Sequence, residues 1–382
     1  MTAFHAGETA IQRRAGFGES VVSVGARFIR DAMPEQHQQF FAQLPFAVIG
    51  VIDAQGHPRA GLLAGAPGFL HAADERHLTA HGYTVVGEGI AEGMVPGAPL
   101  GMLGIEAGTR RRNRLNGTVV DAQNETLHIT VSQSFGNCPK YITPRHATWA
   151  PENARSAPTA NGWDEVARRI VAGADTFFIA SAHPEAGVSA VASHGVDVSH
   201  RGGEAGFVKL SGTSLSVPDY PGNRFFNTLG NLELNPLAGL LFIDFAQSQI
   251  LQLAVRARLK WLPARPEAPD RPERLLHFDV LRAERSSGAR IRVEEMSEGT
   301  LDQLYLALRL AALDLRRAAG VDLPVILDDV LMTSDEDRSG AILEALSDFA
   351  GENQVLVFTH HRHMVELAQR HVPAEHLALV PL

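Results

Sequence analysis

Short apolar runs broken by glycine, proline and aspartate dominate the chain from Phe46 onward. The first group comprises FAVIGVIDAQGHPRAGLLAG, PLGMLGIEAG, LNGTVVDA and TLHITVSQSF. Runs of this length between turn residues are typical of strands in a meandering antiparallel sheet or barrel. Residues 1–45 are more polar, and MPEQHQQFFAQL has the apolar spacing of an amphipathic helix. We therefore expect a helical lead followed by a β-barrel.

The same pattern begins again after residue 162. A stretch rich in Pro, Ala and Asn at 150–162 predicts a linker, and the helical GWDEVARRIVAGA leads into DTFFIASAHPEAG, EAGFVKLSG, TSLSVPDY, AGLLFIDFA and QILQLAVRARL. Gly68-Phe69-Leu70 matches Gly206-Phe207-Val208, and Gly101–Glu106 matches Gly239–Asp244, both at an offset of 138 residues. A constant offset favours a duplicated barrel unit over a chance sharing of Gly-apolar strings between two all-β segments.

Beyond Arg285, helices alternate with short, fully apolar strands. DQLYLALRLAALDLRRAAG and DRSGAILEALSDFAG have helical spacing, whereas LPVILDD and QVLVFTH have strand length. This alternation is typical of a parallel α/β fold. The predicted fold class is therefore mainly β with an α/β tail, with domains at residues 1–162, 163–288 and 289–382.

Composition narrows the classes of function. Of 382 residues, 45% are hydrophobic and 20% are charged, and the formal net charge is -9, which is ordinary for a globular protein. The sequence has no basic field for nucleic acid and no apolar stretch long enough to span a bilayer. The single cysteine, Cys138, excludes an intrachain disulfide and favours a reducing compartment. Because the N-terminus lacks the apolar core of a signal peptide, we expect a cytoplasmic protein.

The second barrel segment carries a specific signature. GVDVSHRGGEAGFVKL, DYPGNRFFNTLGNLELNPLAGLLFIDF and ERLLHFDVLR resemble the pyridoxamine 5'-phosphate oxidase-like family of FMN-binding split barrels. PGFL, TRRRNRLNGTV and QSFGNCPKYI in the first segment are also similar to that family, so the resemblance covers about residues 1–285. It implies tandem split β-barrels with FMN as the cofactor.

The resemblance also implies a set of FMN-binding residues. Family positions that hold the FMN phosphate correspond to Arg201, Lys209, Asn223 and Arg224, with Asn227 and Thr228 sharing that role because the chain is longer after its PGNR turn, and Gln249 corresponds to a glutamine that hydrogen-bonds the flavin ring. A phosphate needs fixed cations and free backbone N–H groups, which glycine-rich turns provide. Lys209 follows Phe207 by two residues, so a continuous strand would place both on one face. Taken singly, each of these residues is equally well explained as a solvated turn or strand side chain.

Two further features concern how such a site is assembled. Arg110, Arg111, Arg112 and Arg114 form a cluster in TRRRNR that would suit an anion, although a solvated hairpin is the simpler interpretation. Split barrels usually build the flavin site between two barrels of a dimer, so the resemblance implies a homodimer or an internal pseudo-dimer.

No residue identifies itself as a catalytic acid, base or nucleophile, and Cys138 is more simply a packing residue than a reactive thiol.

Three motifs of the tail carry a second resemblance. EEMSEGTLDQLYLALRLA, LPVILDDVLMTSDEDR and QVLVFTHHRHMVELA resemble the C-terminal half of ABC-type ATPases of the SMC, RecN and YhaN kind, over about residues 289–382. The resemblance implies a signature loop at Ser297 and Gly299, a magnesium-shell carboxylate at Asp328, a water-polarising carboxylate at Asp329 and a γ-phosphate sensor at His360.

The phosphate-cradling motif G-x-x-x-x-G-K-[ST] of such ATPases is missing from the sequence. We therefore expect no Mg-ATP binding or hydrolysis without a partner. Three interpretations of the tail stay open: a relic of a gene fusion, a lobe that completes a partner's nucleotide site, and a docking module.

Together, these patterns predict an FMN-dependent oxidoreductase or electron-transfer flavoprotein that acts on an unidentified small molecule or redox partner. Flavin carries its own redox chemistry, so the lack of a catalytic constellation does not exclude an enzyme. One alternative is an ABC-type ATPase subunit of the DNA-maintenance type with accessory barrels. Another is a flavin-binding module without turnover.

Overall fold

The structure, a computed structural model, describes residues 3–123, 125–149, 160–245, 247, 249–263, 272–287, 291–295, 306, 310, 313, 324–328, 336–351 and 353–380. The chain divides into two compact units, Met1–Glu294 and Glu295–Leu382.

The first barrel is an eight-stranded sheet preceded by three helices. The helices are α1 (Ala6–Arg14), α2 (Gly18–Phe28) and α3 (Glu35–Ala42). The strands are β1 (Phe46–Ile52), β2 (Pro58–Ala64), β3 (Leu70–Asp74), β4 (His77–His81), β5 (Thr84–Val86), β6 (Pro99–Glu106), β7 (Arg111–Gln123) and β8 (Thr126–Gly136), with the short helix α4 (Ile90–Gly93) before β6. Their order in the sheet is β3-β4-β8-β7-β6-β1-β2-β5, and apolar side chains such as Ile49, Met102 and Leu115 form the core against Phe40 and Phe41 of α3.

The second barrel repeats this plan. After β9 (Arg145–Trp149) and β10 (Ala160–Asn161), its elements are α5 (Glu165–Gly173), β11 (Thr176–Ala182), β12 (Val196–Gly202), β13 (Lys209–Ser211), β14 (Ser214–Asp219), α6 (Asn227–Leu234), β15 (Leu237–Asp244), β16 (Gln249–Trp261) and β17 (Arg274–Ser287). The sheet order is β12-β11-β15-β16-β17-β14-β13, and β10 pairs with β17. A further strand, β18 (Ile291–Glu295), pairs with β9 in a separate two-stranded sheet.

The strand registers support the predicted duplication. In the first barrel Leu103 of β6 lies opposite Arg114 of β7, and in the second Leu241 of β15 lies opposite Gln252 of β16. Both members of the second pair follow their counterparts by the same 138 residues seen in the sequence. The repeated sequence is therefore a repeated structure.

Two equivalent glycines allow the barrels to approach each other. A Cβ added at Gly101 would lie 2.5 Å from the carbonyl oxygen of Val196, and one added at Gly239 would lie 2.5 Å from that of Pro58. Because such distances are far inside van der Waals contact, only glycine fits at either position. The interface between the barrels also buries aliphatic residues of both, including Val48.

The tail unit contains a two-stranded parallel sheet. Its described elements are β19 (Val325–Asp328), α7 (Glu336–Ala350), β20 (Val355–Phe358) and α8 (Arg362–His371), and β19 pairs with β20 in parallel. Its core contains Leu327 of β19, Leu343 and Leu346 of α7, and Met364 and Leu367 of α8. The predicted fold class, mainly β with an α/β tail, is confirmed.

The boundary between residues 162 and 163 stays a prediction, and most of the proposed linker, residues 150–159, lies outside the described residues. None of the helices that the structure describes has both the length and the apolar character needed to cross a membrane.

Candidate functional site

A cleft between the two barrels is lined by residues from both. The second barrel contributes Ser199, His200 and Arg201 of β12, the turn 218–226 and the start of α6, and the first contributes Arg112 and Arg114 of β7. The cleft has a volume of about 110 Å³. Pockets that enclose a whole ligand have roughly 300–1,000 Å³. The enclosed space therefore suits a small charged group at the end of a larger molecule.

Arg114 is fixed by buried partners. Its side chain is 4% exposed, and its Nη1 donates hydrogen bonds to Asp197 Oδ1 at 3.1 Å and Asn227 Oδ1 at 2.8 Å. Its Nη2 donates to the hydroxyl of Ser199. Asn231 donates to the other oxygen of Asp197 at 3.1 Å. The guanidinium is thus held in one orientation at the floor of the cleft.

Arg112 and His200 form a second pair. Arg112 Nη1 lies 2.9 Å from His200 Nδ1. Since a guanidinium only donates, His200 Nδ1 accepts, and the imidazole proton lies on Nε2. Burial holds the pKa of His200 well below its usual value, and the charges of Arg112 and Arg201 lower it further, so the ring is neutral. Burial also lowers the pKa of Arg112 to about 10, with the charge of Arg114 acting in the same direction.

The cleft carries more positive than negative charge. Arg201 donates to Asp219, but the same carboxylate accepts from Nε of Arg274 at 2.8 Å. Among the ion pairs of the described residues, none involves Arg112. An anion placed here would offset the repulsion among the guanidinium groups.

Four guanidinium or imidazole side chains that line the cleft each have a buried nitrogen without a hydrogen-bond partner among the described residues: Arg112 Nε, Arg114 Nε, Arg201 Nε and His200 Nε2. The amide Nδ2 of Asn137, which also lines the cleft, is a fifth. Each carries a proton in the states derived above. A buried donor without an acceptor costs about 1–3 kcal/mol, and native structures contain only a few of them. Unpartnered donors also occur elsewhere in the described residues, but five of them belong to side chains around one cleft, which favours a ligand that presents several acceptor oxygens.

Glu8 of α1 lies behind Arg114 and does not cancel its charge. Asn227 Nδ2 donates to Glu8 Oε1, while Asn227 Oδ1 accepts from Arg114. Burial raises the pKa of Glu8 to about 8, and the nearby charge of Asp197 adds to this effect. At neutral pH Glu8 is therefore mainly protonated.

The structure brings five of the seven residues predicted for FMN to this cleft. These are Arg201, Asn223, Arg224, Asn227 and Thr228. Thr228 Oγ1 donates to Ser199 Oγ at 2.8 Å, and the exposed guanidinium of Arg224 stacks 4.1 Å above the ring of Phe17. Their roles toward FMN stay predictions.

The other two, Lys209 and Gln249, do not line the cleft. Phe207 precedes β13 and is buried, whereas Lys209 begins that strand and is exposed. The expectation that they share a face is therefore wrong, because the strand does not extend back to Phe207. Gln249 begins β16, opposite Asp244 and Ser287.

The interpretation of the arginine cluster as a solvated hairpin is wrong for two of its members. Arg110 is exposed, but Arg112 is half-buried and Arg114 is buried. Their spacing of two residues on β7 gives them a common face, which is the sequence signal that identifies them. Sequence reasoning also missed His200 and Glu8, whose roles depend on contacts distant in the chain.

The duplicated fold has a second, equivalent position, at which Gln252 takes the place of Arg114. Gln252 Nε2 donates to the carbonyl of Ala60 at 2.9 Å, and its Oε1 accepts from the backbone N–H of Glu88 at 2.6 Å. The counterparts of His200 and Arg112 there are the buried aliphatic residues Leu62 and Ile250.

The charged groups near this second position are also paired internally. Arg59 forms a buried ion pair with Glu284 and donates to the carbonyl of Glu88 at 2.9 Å. The second position is thus closed by buried side chains and its charges are paired, in contrast to the cleft at Arg112. Arg59 Nε and Nη1 are nevertheless buried without a hydrogen-bond partner among the described residues.

The described part of the tail places two of its predicted residues at one edge of the parallel sheet. Asp328 ends β19 and lies opposite Phe358, and His360 follows β20 by two residues. Both side chains are exposed. Ser297, Gly299 and Asp329 lie outside the described residues, so their predicted roles are untested.

No protein-family model matches the chain. A curated relative, an uncharacterized protein YhaN of Bacillus subtilis (strain 168), is 40% identical over 78 residues, which is 20% of this chain and 8% of the relative. The chain therefore spans less than a tenth of the length of this relative.

Several solved structures are similar to parts of the chain at low identity. A putative pyridoxamine 5'-phosphate oxidase from Lactobacillus delbrueckii is 18% identical, with 28% of this chain and 95% of that one covered and a TM-score of 0.22. A FAD-binding protein from Mesorhizobium loti is 11% identical, with 34% of this chain and 99% of that one covered and a TM-score of 0.23. The haem storage protein HutZ from Vibrio cholerae is 11% identical, with 31% of this chain and 87% of that one covered and a TM-score of 0.22. The fold described above rests on strand pairing within this chain.

Proposed function

We propose that the protein binds FMN in the cleft between its barrels and acts as an FMN-dependent oxidoreductase or electron-transfer flavoprotein. The observation that carries this proposal is the group of four unpartnered buried nitrogens of Arg112, Arg114, Arg201 and His200. FMN ends in a phosphate dianion, whose oxygens accept several charge-assisted hydrogen bonds at once. Bound flavin supplies hydride or single-electron transfer, while the protein holds and orients it.

The dimensions of the cleft support a ligand that enters by its phosphate. The volume of about 110 Å³ accommodates that end of FMN. Tyr141 and Tyr220 also line the cleft, and their rings stack with centroids 5.2 Å apart. They offer an aromatic surface for the flat flavin ring, which requires an apolar neighbour.

The visible absorption spectrum of the purified protein tests this function. We expect a yellow protein that releases FMN on denaturation, or a colourless one that gains the flavin spectrum on incubation with FMN. A protein that stays colourless after reconstitution would refute the proposal. If flavin binds but no electron donor reduces it, the chain is a flavin-binding module without turnover.

For the tail, we propose that it does not hydrolyse ATP by itself. This rests on the missing phosphate-cradling motif, since no lysine is provided for the β- and γ-phosphates. We expect no phosphate release from ATP with or without magnesium, and no change on Asp329→Ala. Turnover by the purified chain that Asp329→Ala abolishes would favour the ATPase alternative.

A further inference from the structure

Three histidines and a glutamate cluster around the loop 183–195, which joins β11 to β12. The rings of His183 and His194 stack with centroids 3.8 Å apart and 15° between their planes. His194 Nδ1 lies 3.1 Å from Glu185 Oε2. The ring of His5 packs edge-on against His183, with centroids 4.9 Å apart. None of these four residues lines the cleft between the barrels.

The ligand atoms of His183, Glu185 and His194 all lie within 4.8 Å of one another. In a tetrahedral zinc site with bonds of about 2.0–2.2 Å, neighbouring ligand atoms are about 3.3 Å apart. The nitrogen–oxygen distance of 3.1 Å between His194 and Glu185 is close to that separation. The rings of His183 and His194 are stacked nearly parallel, so the partly exposed His194 ring must rotate out of the stack for both imidazoles to bind one ion. His183 Nδ1 accepts the backbone N–H of Glu185 at 3.1 Å, and a metal bound at this nitrogen would replace that hydrogen bond.

His5 supports this cluster without being a ligand in it. Its Nδ1 accepts the backbone N–H of Gly7 at 3.1 Å, and its Nε2 lies 3.5 Å from Glu8 Oε2. Both ring nitrogens are therefore directed at the first turn of α1. His5 acts as a positioning residue, because its buried ring limits the movement of His183.

A hollow of about 320 Å³ adjoins His194. It is lined by the loop 187–195 and, from the first barrel, by Pro99 and residues 116–118. A metal held by three protein ligands keeps a fourth position for water or a small ligand. The hollow provides space for such a ligand.

We propose that His183, Glu185 and His194 form a binding site for a divalent transition-metal ion, with an open coordination position toward this hollow. Two imidazoles and one carboxylate suit zinc and its neighbours in the first transition row, in contrast to the oxygen ligands that magnesium and calcium prefer. The site is independent of flavin binding and is tested without flavin.

The test is titration of the full-length, chelator-treated protein with Co²⁺ and Zn²⁺. We expect one Co²⁺ per chain, with a visible absorption band from nitrogen and oxygen ligation, and displacement by Zn²⁺. Loss of one ligand in His194→Ala or Glu185→Gln should weaken binding at least about tenfold, since changes beyond the direct ligands already have effects of that size. Glu185→Gln keeps the shape of an exposed side chain, so a folding defect is not expected.

A matched control is available elsewhere on the first barrel. The rings of His81 and His128 have centroids 6.3 Å apart, and each hydrogen-bonds a threonine hydroxyl. His128→Ala should leave Co²⁺ binding unchanged. Absence of saturable Co²⁺ binding, or equal binding by the His194→Ala and His128→Ala proteins, would overturn the proposal.

Discussion

Arg112 contributes its charge to the cleft without a carboxylate partner among the described residues, and its Nε is unpartnered. We expect Arg112→Ala to weaken FMN binding about 10- to 100-fold, because a hydrogen bond to a charged group contributes roughly 1.5–3 kcal/mol. Quenching of flavin fluorescence on titration measures this change.

Lys209→Ala is the control for that experiment. Lys209 is exposed and lies outside the cleft, so its removal should leave FMN affinity unchanged. A loss of affinity in Lys209→Ala with none in Arg112→Ala would place the phosphate near Lys209 and outside the cleft.

Glu8 should make stability fall as pH rises through the neutral range. Its folded pKa of about 8 lies above the ordinary value of 4.5, so the folded protein retains a proton that the unfolded chain releases between these values. The contribution of Glu8 to the free energy of unfolding is complete below pH 4.5 and is lost as pH rises through about 8.

Glu8→Gln keeps a neutral side chain and removes this titration. The free energy of unfolding, measured by denaturant titration, should therefore decrease more in the wild type than in the variant as pH rises. His37, whose pKa burial lowers to about 4, acts in the opposite direction in both proteins, so the comparison largely cancels it. Burial also lowers the pKa of His5 to about 4, and because His5 contacts Glu8, the comparison is made above pH 6.5, its ordinary pKa. A difference that does not vary with pH would show that Glu8 is ionised in the folded protein.

At the scale of elements, α1 and α6 cross at two glycines. A Cβ on Gly230 would lie 2.5 Å from the backbone nitrogen of Glu8, and one on Gly7 would lie 2.2 Å from the carbonyl oxygen of Gly230. We expect Gly230→Ala to reduce the free energy of unfolding by about 1–3 kcal/mol, because the backbone of α1 must move. Thermal and denaturant unfolding measure this.

Gly173, the last residue of α5, has open space around its Cα, so Gly173→Ala should be neutral or slightly stabilising. Equal effects of the two substitutions would mean that the crossing of α1 and α6 is not tightly packed. Since α6 also supplies Asn227 and Thr228, Gly230→Ala should weaken FMN binding as well.

The sequence predicts some elements better than others. Alternating or fully apolar runs identify β1, β6, β11 and β15 because each is bounded by turn residues. Helix α6 was not expected. Six consecutive residues, 227–232, are buried, including the polar Asn227, Thr228 and Asn231, so polar and apolar residues do not separate onto two faces and no amphipathic period results. It also follows Phe226 in a left-handed conformation, with φ of 60°, which the residue type does not suggest.

At the scale of the whole molecule, the two barrels of one chain provide one open cleft and one closed counterpart. We expect a single FMN per chain, bound by a monomer, measured by flavin absorbance against protein concentration together with light scattering. Two flavins per chain would show that the position at Gln252 opens, and flavin binding only by a dimer would refute the internal pseudo-dimer.

The sequence supports the fold class and the repeat, but it does not show that Arg112 and Arg201 meet. Arg112 lies on β7 of the first barrel and Arg201 lies on β12 of the second. Their proximity therefore depends on how the barrels pack at Gly101 and Gly239. A strand position that faces a neighbouring barrel has the same local pattern as one that faces water. The candidate site therefore needed the tertiary structure.

The closed position at Gln252 has an evolutionary consequence. In a symmetric pair of identical chains, any substitution appears at both equivalent positions, so one site cannot be abandoned without the other. Joining the barrels in one chain removes that constraint, because Arg114 and Gln252 are encoded separately. Mutations that improve packing at Gln252 carry no cost at Arg114, so selection can act on rigidity in one half and on ligand recognition in the other.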